Sequence, residues 1–318
     1  MKTFIVDLKR ALKKRQLSDS TIEEIVRDYD EMIHTGLEEG MSEEEILKKF
    51  GSVEHVAEEL ARVETSDPKA NADEETFIKR FDLTEDTYCI EVKLPTENVT
   101  YQQGEDNAIV ITANRALDEK DYTFRYANHR LTIIGPRAKG FGLFNLLTRH
   151  LHTAITITLP SKATCERLHH KATNGHLTFK AVTIGDVRIN NVNGDVAATQ
   201  STLNDIVYAT VNGDLMIEDT TVNSLTTNAV NGDVMLTKTT IKGAMHHETV
   251  SGDAMLKQVT CASFDMSAVS GDLTAEEFYP ESYKAHTVSG DVLVKNRKDH
   301  AITKENTRTL SGEFRVDA

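Results

Sequence analysis

The sequence has no tryptophan, and its 318 residues include only five prolines, three cysteines and 6% aromatic residues. Cys89, Cys165 and Cys261 are odd in number and widely spaced, which fits neither a disulfide framework nor a zinc site. No stretch approaches the about 18 consecutive apolar residues of a membrane-spanning helix, and charged residues break the N-terminal segment before a signal-peptide core can form. We therefore expect a cytoplasmic protein, either free or membrane-associated, with the cell surface as the alternative location.

Basic residues are also scarce relative to acidic ones. The chain carries 36 lysines and arginines against 50 aspartates and glutamates, which gives a formal net charge of −14. Non-specific binding to nucleic acid requires basic residues that neutralise phosphates. The charge balance argues against this class of protein, and we expect no nucleic-acid partner.

A short motif, Val-Asn-Gly-Asp or Val-Ser-Gly-Asp, recurs through the C-terminal half of the chain. Its glycines are spaced 19 or 20 residues apart except for the last pair, and they are Gly175, Gly194, Gly213, Gly232, Gly252, Gly271, Gly290 and Gly312. A fixed period of this length is typical of stacked repeat arrays. Within one repeat, Leu215 and Ile217 lie two residues apart, which is the periodicity of a strand. The repeats predict a parallel β-solenoid with coils of roughly 19 residues.

Alignment of the repeats produces two apolar columns. One contains Val192, Val211, Val230, Val250, Val269, Val288 and Leu310, and the other contains Leu177, Val196, Leu215, Val234, Ala254, Leu273, Val292 and Phe314. We expect both columns to line the interior of the solenoid. Cys261 aligns with Ile184, Leu203, Val222 and Ile241, so we expect it to be buried too. Roughly seven coils that rise by about 4.8 Å each would extend over roughly 34 Å.

The glycine of the motif is expected to form a tight structural corner in each coil. Glycine permits a positive φ, and a neighbouring Asn or Asp can hydrogen bond to nearby backbone. The corner residues are Gly194, Gly213, Gly232, Gly252, Gly271 and Gly290. The aspartates that follow, from Asp195 to Asp291, could bind cations or cap the backbone. One carboxylate per coil supplies too few oxygens for a calcium shell, so we expect capping and assign no metal site.

Residues 1–64 have the apolar spacing of helices. Phe4, Leu8 and Leu12 recur at helical intervals, and Ser42 with Glu45 matches a capping box. A small bundle of about four helices is predicted. Residues 65–75 are polar and are expected to form a linker.

Residues 76–172 contain strand-like runs that do not follow the 19-residue period. We expect them to form an irregular β cap that covers the edge of the first coil, with the solenoid repeats in residues 173–318. The predicted fold class is α + β and multidomain, with a small N-terminal helical bundle followed by an all-β parallel solenoid.

Two parts of the chain resemble known bacterial families. The segments Ser20-Thr-Ile-Glu-Glu-Ile-Val-Arg-Asp-Tyr-Asp-Glu-Met, Glu39-Gly-Met-Ser-Glu-Glu-Glu-Ile and Phe50-Gly-Ser-Val-Glu-His-Val-Ala-Glu-Glu-Leu resemble the HAAS domain, a helix-turn-helix-associated α-helical signalling domain. The run Ile155-Thr-Ile-Thr-Leu-Pro160 ahead of the Gly-Asp coils is similar to the β-solenoid family described as "putative adhesin". The resemblance implies a role in signalling and a relation to LiaX-like cell-envelope stress proteins, which respond to antimicrobial peptides.

Two groups of side chains are candidates for interaction. Phe141, Phe144 and Leu147 lie in a segment with flanking basic residues, which would suit contact with a membrane, a peptide or a partner; packing over the end of the solenoid would also explain them. The predicted acidic helices carry charges that could attract a basic partner or form a solvated face. The acidic candidates are Glu23, Glu24, Asp28 and Glu31.

The sequence lacks the usual motifs of catalysis. It contains no phosphate-binding glycine loop, no Gly-x-Ser-x-Gly and no His-Glu-x-x-His. The corner acids are spaced one per coil along a line, whereas glycoside hydrolysis needs two carboxylates on either side of one bond. His169-His170 and His246-His247 have no matching ligand at metal-binding spacing and are expected to be surface or strand residues. We expect no catalytic residue, no cofactor and no small-molecule substrate.

These expectations lead to a non-catalytic function. We expect a bacterial signalling or cell-envelope stress accessory protein whose helical domain binds a regulator or a membrane protein and whose solenoid is a binding scaffold. The alternative is a surface-displayed adhesin or antimicrobial-peptide sensor.

Overall fold

The computed structural model describes residues 2–15, 17, 22, 25–26, 29, 33, 37, 41–50, 52–54, 56–57, 76–136, 153–297 and 307–317. These residues belong to two compact units, one within residues 1–75 and the other within residues 76–318. The first unit is helical and the second consists of β-strands.

The helical unit contains α1 (Lys2–Lys14) and α2 (Glu43–Phe50). Ser42 caps α2 as predicted, because its backbone N–H donates to the Glu45 carboxylate at 2.9 Å and its Oγ accepts the Glu45 N–H at 3.3 Å. The rings of Phe4, Tyr29 and Phe50 pack together with centroids 5.0–6.0 Å apart. Among the residues described, no helix is both long enough and apolar enough to span a membrane.

The β unit contains 21 strands in its described residues. Strands β1 to β8 are Thr76–Asp82, Thr87–Lys93, Asn98–Gln103, Ala108–Ala113, Thr123–Ala127, Arg130–Ile134, Ala154–Leu159 and Thr164–Lys171. Strands β9 to β15 are Leu177–Lys180, Thr183–Asn190, Val196–Thr199, Thr202–Asn212, Leu215–Glu218, Thr221–Asn231 and Val234–Ile241. Strands β16 to β21 are Ala244–Ser251, Ala254–Ser270, Leu273–Ser289, Val292–Lys295, Thr307–Ser311 and Phe314–Asp317.

The strands stack in parallel into a solenoid of about seven turns with coils of about 19 residues, which confirms the predicted fold class. Wall A contains the strands that follow the Gly-Asp corner, namely β9, β11, β13, β15, β19, β21 and the first parts of β17 and β18. Wall B contains the strands that precede the corner, namely β8, β10, β12, β14, β16, β20 and the last parts of β17 and β18.

Strands outside the repeat close the N-terminal end of the solenoid. β2 pairs in parallel with β8 and β3 pairs in parallel with β9, so both walls continue beyond the Gly-Asp coils. The two parallel walls end in antiparallel pairs: β4 pairs with β7, β1 pairs with β4, and β5 forms a hairpin with β6. β1 also has a register irregularity between Phe77 and Lys79, a feature that discourages pairing at a sheet edge.

One of the two predicted apolar columns lies in the core. Leu215, Val234 and Leu273 are buried, and so are their equivalents in the other coils except Phe314, which is partly buried. Cys261 is buried as well, and burial raises the pKa of its thiol to about 12. Both the core column and the position of Cys261 were predicted from the repeat alignment.

The prediction for the valine column is wrong. Val192, Val211, Val230, Val250, Val269 and Val288 are 39–51% exposed, and Leu310 is 85% exposed. The reason is the alternation within wall B: Tyr208 and Thr210 point inward, so Val211 points outward. The corner that follows resets the alternation, and Leu215 points inward again although it lies only four residues after Val211.

Candidate functional site

The Gly-Asp corners are joined by a continuous row of hydrogen bonds. In each coil the Asp Oδ1 accepts the backbone N–H of the aspartate in the next coil, at 2.7–3.0 Å. The row contains Asp195, Asp214, Asp233, Asp253, Asp272 and Asp291. It begins with His176, whose Nδ1 accepts from Asp195 N at 3.0 Å, and ends where Glu313 N donates to Asp291 at 2.7 Å. The aspartates therefore cap backbone groups, as predicted.

Neighbouring aspartates repel each other by about 1 kcal/mol at the coil spacing in water. A hydrogen bond to a charged acceptor contributes about 1.5–3 kcal/mol, which offsets that repulsion. In addition, Asn193, Asn212 and Asn231 form a side-chain ladder in which each Nδ2 donates to the Oδ1 of the previous coil at 2.8–2.9 Å. These contacts indicate that the polar corner is a structural element.

The corner glycines are required by close contact. Of the six predicted corner glycines, only Gly194 has a positive φ in the left-handed half of the map, at 140°. A Cβ on Gly213, Gly232, Gly252, Gly271 or Gly290 would lie 2.1–2.4 Å from the carbonyl oxygen of the glycine in the preceding coil. The expectation of a positive φ at every corner was therefore wrong. Glycine is needed there because the coils approach each other too closely for any side chain.

The left-handed conformation occurs instead at another bend, between the wall A strand and the next strand. The residues there are Ala181, Gln200, Asp219, Lys238, Gln258 and Glu277, with φ of 47–56°. Next to them, Ser201 Oγ and Thr220 Oγ1 donate to carbonyls two residues earlier, at 2.8 Å each. No glycine in the sequence marks this bend, so it was not predicted; the alignment of non-glycine residues at the same period is its only signal in the sequence.

The outward-facing valines form the most prominent apolar surface of the solenoid. The described residues include twelve exposed large apolar side chains, of which ten lie in the β unit and seven in this column. Val230, Val250 and Val269 also line an open groove of about 560 Å³, together with residues that include Ala209, Asn228, Glu248 and Ser267. We call the column from Val192 to Leu310 the valine stripe. The other three exposed side chains of the β unit are Val207, Met216 and Met255.

One histidine of each predicted pair is buried in the solenoid core. His170 Nδ1 lies 2.9 Å from Tyr101 Oη, and His247 Nδ1 lies 2.7 Å from Thr227 Oγ1. Neither Nε2 atom has a protein hydrogen-bond partner. Burial lowers the pKa of His170 to about 3 and that of His247 to about 4, so both rings are neutral at neutral pH. Alternation of side chains along β8 and β16 explains why the adjacent His169 and His246 are not buried.

The predicted interaction residues lie outside the described residues. This holds for Phe141, Phe144 and Leu147 and for the acidic group Glu23, Glu24, Asp28 and Glu31. Both remain predictions. Within the described parts of the chain, no group of three or more His, Cys, Asp or Glu side chains could hold a metal ion.

Two family models match the chain. The Toastrack DUF4097 model matches residues 88–318, and the HAAS model matches residues 3–59. None of the curated proteins compared with the chain matches it.

Solved structures also resemble the chain at low identity. A "putative lipid binding protein" from Parabacteroides distasonis ATCC 8503 is 12% identical, with a TM-score of 0.49 over 76% of this chain and 94% of that chain. A "putative adhesin" from the same strain is 14% identical, with a TM-score of 0.36 over 78% and 98% of the two chains. A "putative adhesin" from Parabacteroides merdae ATCC 43184 is 15% identical, with a TM-score of 0.27 over 76% and 95%.

Proposed function

Because the chain belongs to the Toastrack DUF4097 family and carries a HAAS domain, we propose that it is a non-catalytic accessory protein in bacterial signalling or cell-envelope stress. The helical unit binds a regulator or a membrane protein, and the solenoid is the scaffold that binds a second protein or peptide ligand. Its location is the cytoplasm, either free or at the membrane.

The valine stripe is the observation that carries this proposal. Folding does not require apolar side chains at exposed strand positions. Another column of the same solenoid, also in register and exposed, consists of threonines: Thr183, Thr202, Thr240 and Thr260. Threonine has a strand propensity similar to that of valine. Contiguous exposed apolar surface is rare on monomeric proteins and marks interaction sites. The stripe is therefore best explained by contact with a ligand.

The arrangement of polar groups supports a non-catalytic role. The corner carboxylates are engaged with backbone N–H groups and lie in a line, one in each coil. His170 and His247 are neutral and buried, so they are not accessible to a substrate. General acid–base catalysis needs such groups within reach of a reacting atom. The described residues offer no convergent set of this kind.

A charge placed in the middle of the valine stripe should abolish ligand binding without unfolding the protein. Val250→Lys puts an ammonium group in the groove, where a docked apolar surface would have to desolvate it. The matched control is Thr240→Lys, which makes the same change at an exposed strand position outside the stripe. We expect Val250→Lys to lower recovery of solenoid-bound proteins from a lysate of the native bacterium at least about tenfold, and Thr240→Lys to leave it unchanged. Equal recovery with both variants would contradict the proposal.

The helical unit is expected to recruit its partner through charge. Charge reversal of Glu23, Glu24, Asp28 and Glu31 to Lys should abolish capture of a basic partner, and capture by the original chain should slow markedly as salt rises from about 0.05 to 0.5 M. Circular dichroism would establish that the reversed helices are folded. Recovery of the same proteins with both forms would show that these acids do not recruit the partner.

The alternative, a surface-displayed adhesin or antimicrobial-peptide sensor, has one observation in its favour. The aspartates of the corner follow the valines by three residues, so carboxylates border the apolar stripe. Such a surface suits a peptide that is both cationic and apolar. Protease treatment of intact cells separates the two proposals: cleavage of the chain supports the surface location, and protection until the cells are lysed supports the cytoplasmic one.

A further inference from the structure

Three methionines stack in register on the outer face of wall A. Met216 of β13 pairs with Met235 of β15, and Met235 pairs with Met255 of β17. Met216 is 39% exposed and Met255 is 42% exposed, and Met235 between them is partly exposed. Their chain neighbours on both sides along each strand are buried, so all three side chains leave the same face of the sheet.

Side-chain rotation can bring the three stacked methionines onto a single soft metal ion. Neighbouring coils lie about 4.8 Å apart. Three sulfurs arranged in a trigonal plane at metal–sulfur distances of about 2.3 Å would be about 4 Å from one another. Met216 and Met255 lie two coils apart, about 9.6 Å, so each outer sulfur has to move by about 3 Å along the column, toward Met235, to reach this geometry. The three rotatable bonds of the methionine side chain allow a movement of this size. Thioether sulfur selects Cu(I) among the common biological metals, because both are soft.

The surrounding charges favour a cation at this position. Asp214, Asp233 and Asp253 precede the three methionines by two residues, at the corner where each wall A strand begins. Each uses Oδ1 to accept a backbone N–H, which holds a line of negative charge beside the sulfurs. The nearest lysine along β17, Lys257, is paired with Glu276 at 3.3 Å. The local field therefore attracts a monovalent cation.

We propose that Met216, Met235 and Met255 form a binding site for one Cu(I) ion per chain. Apolar packing alone does not account for them, because the same column has Thr178, Ala197 and Thr274 in neighbouring coils, which shows that the fold accepts small or polar residues there. The site is independent of the valine stripe, which lies on wall B.

A silver titration tests this site, since Ag(I) is a soft monovalent ion that undergoes no redox reaction under the same conditions. The full chain should carry Cys89→Ser, because Cys89 is partly exposed and its thiol would compete for the ion. With the methionine methyl groups labelled with ¹³C, one equivalent of Ag(I) should shift the signals of Met216, Met235 and Met255 along one shared binding curve. Single Met→Leu variants assign the three signals.

Loss of the central ligand should weaken the site strongly. Met235→Leu keeps the size and apolar character of the side chain, and we expect it to lower Ag(I) affinity at least about thirtyfold while the melting temperature stays the same. Met41→Leu, in the helical unit, is the matched control and should leave affinity unchanged. Anaerobic Cu(I) with a chromophoric chelator as competitor should give the same order of affinities. Three independent binding curves, or equal affinity of Met235→Leu and the original chain, would overturn the proposal.

Discussion

Replacing Gly232 by alanine is expected to lower the free energy of unfolding of the solenoid by at least about 3 kcal/mol, the upper range for overpacking a rigid site. The new Cβ would lie 2.3 Å from the Gly213 carbonyl oxygen and 3.1 Å from its carbonyl carbon. The backbone on both sides is held by hydrogen bonds between coils, at Gly213 N to Asn231 O and at Gly232 N to Ser251 O. Neither coil can move away without breaking them. Urea unfolding measures the loss.

Two other substitutions provide the comparison for Gly232→Ala. Asp233→Ala removes the carboxylate that accepts the Asp253 N–H at 2.8 Å and should cost about 1 kcal/mol. Gly243→Ala adds a Cβ with only the Asn223 carbonyl oxygen nearby, at 3.0 Å, so we expect a loss smaller than that of Gly232→Ala by about 2 kcal/mol or more. Gly232→Val should be at least as damaging as Gly232→Ala. If the three alanine variants unfold at the same urea concentration, close contact between coils does not explain the glycine.

Acid should destabilise the solenoid well above the pH at which carboxylates titrate. His170 and His247 have folded-state pKa values of about 3 and 4, below the value of about 6.5 expected in the unfolded chain. The unfolded chain therefore takes up protons first, and stability that is fully present above about pH 6.5 is lost as the pH falls toward the folded values. Between pH 7.5 and pH 5 each histidine should remove about 2 kcal/mol, which gives about 4 kcal/mol together.

A pair of adjacent histidines isolates this effect. His247→Met removes one buried titrating group, and methionine already occupies the equivalent core position of the next coil, Met266. We expect the loss of stability between pH 7.5 and pH 5 to fall by about half in this variant. His246→Gln is the matched control, because it changes the neighbouring ring on the outer face and keeps the buried His247, so most of the loss between pH 7.5 and pH 5 should remain. An identical pH dependence in His247→Met and the original chain would show that His247 does not contribute to acid unfolding.

The corner glycines and the buried histidines behind these two predictions can be recognised from the sequence only in part. The corner glycines were identified from their period, but their physical role was assigned to a positive φ, which the structure shows only at Gly194 among the six. The distance between the carbonyl of one coil and the glycine of the next is set by stacking, and one repeat contains no information about it. The histidines were predicted to be surface or strand residues, but the inward or outward direction of each depended on where the corners reset the alternation.

The valine stripe shows the same limit more clearly. Apolar character and recurrence at intervals of 19 to 22 residues suggested an interior column, because repeated apolar residues are usually buried. Val211 and Leu215 lie four residues apart, which would place both on one face of an uninterrupted strand. Asn212, Gly213 and Asp214 turn the chain between them, so one residue faces solvent and the other faces the core.

By itself the sequence determined the period, the parallel stacking, the inward Leu215 column, the capping aspartates and the capping box at Ser42. Each of these follows from local spacing or from side-chain chemistry that repeats along the chain. Only the tertiary structure decided which apolar column faces solvent, why the corner needs glycine, where the left-handed bend lies and which histidines are buried. Those features depend on contacts between coils about 19 residues apart, which no pattern within a single repeat specifies.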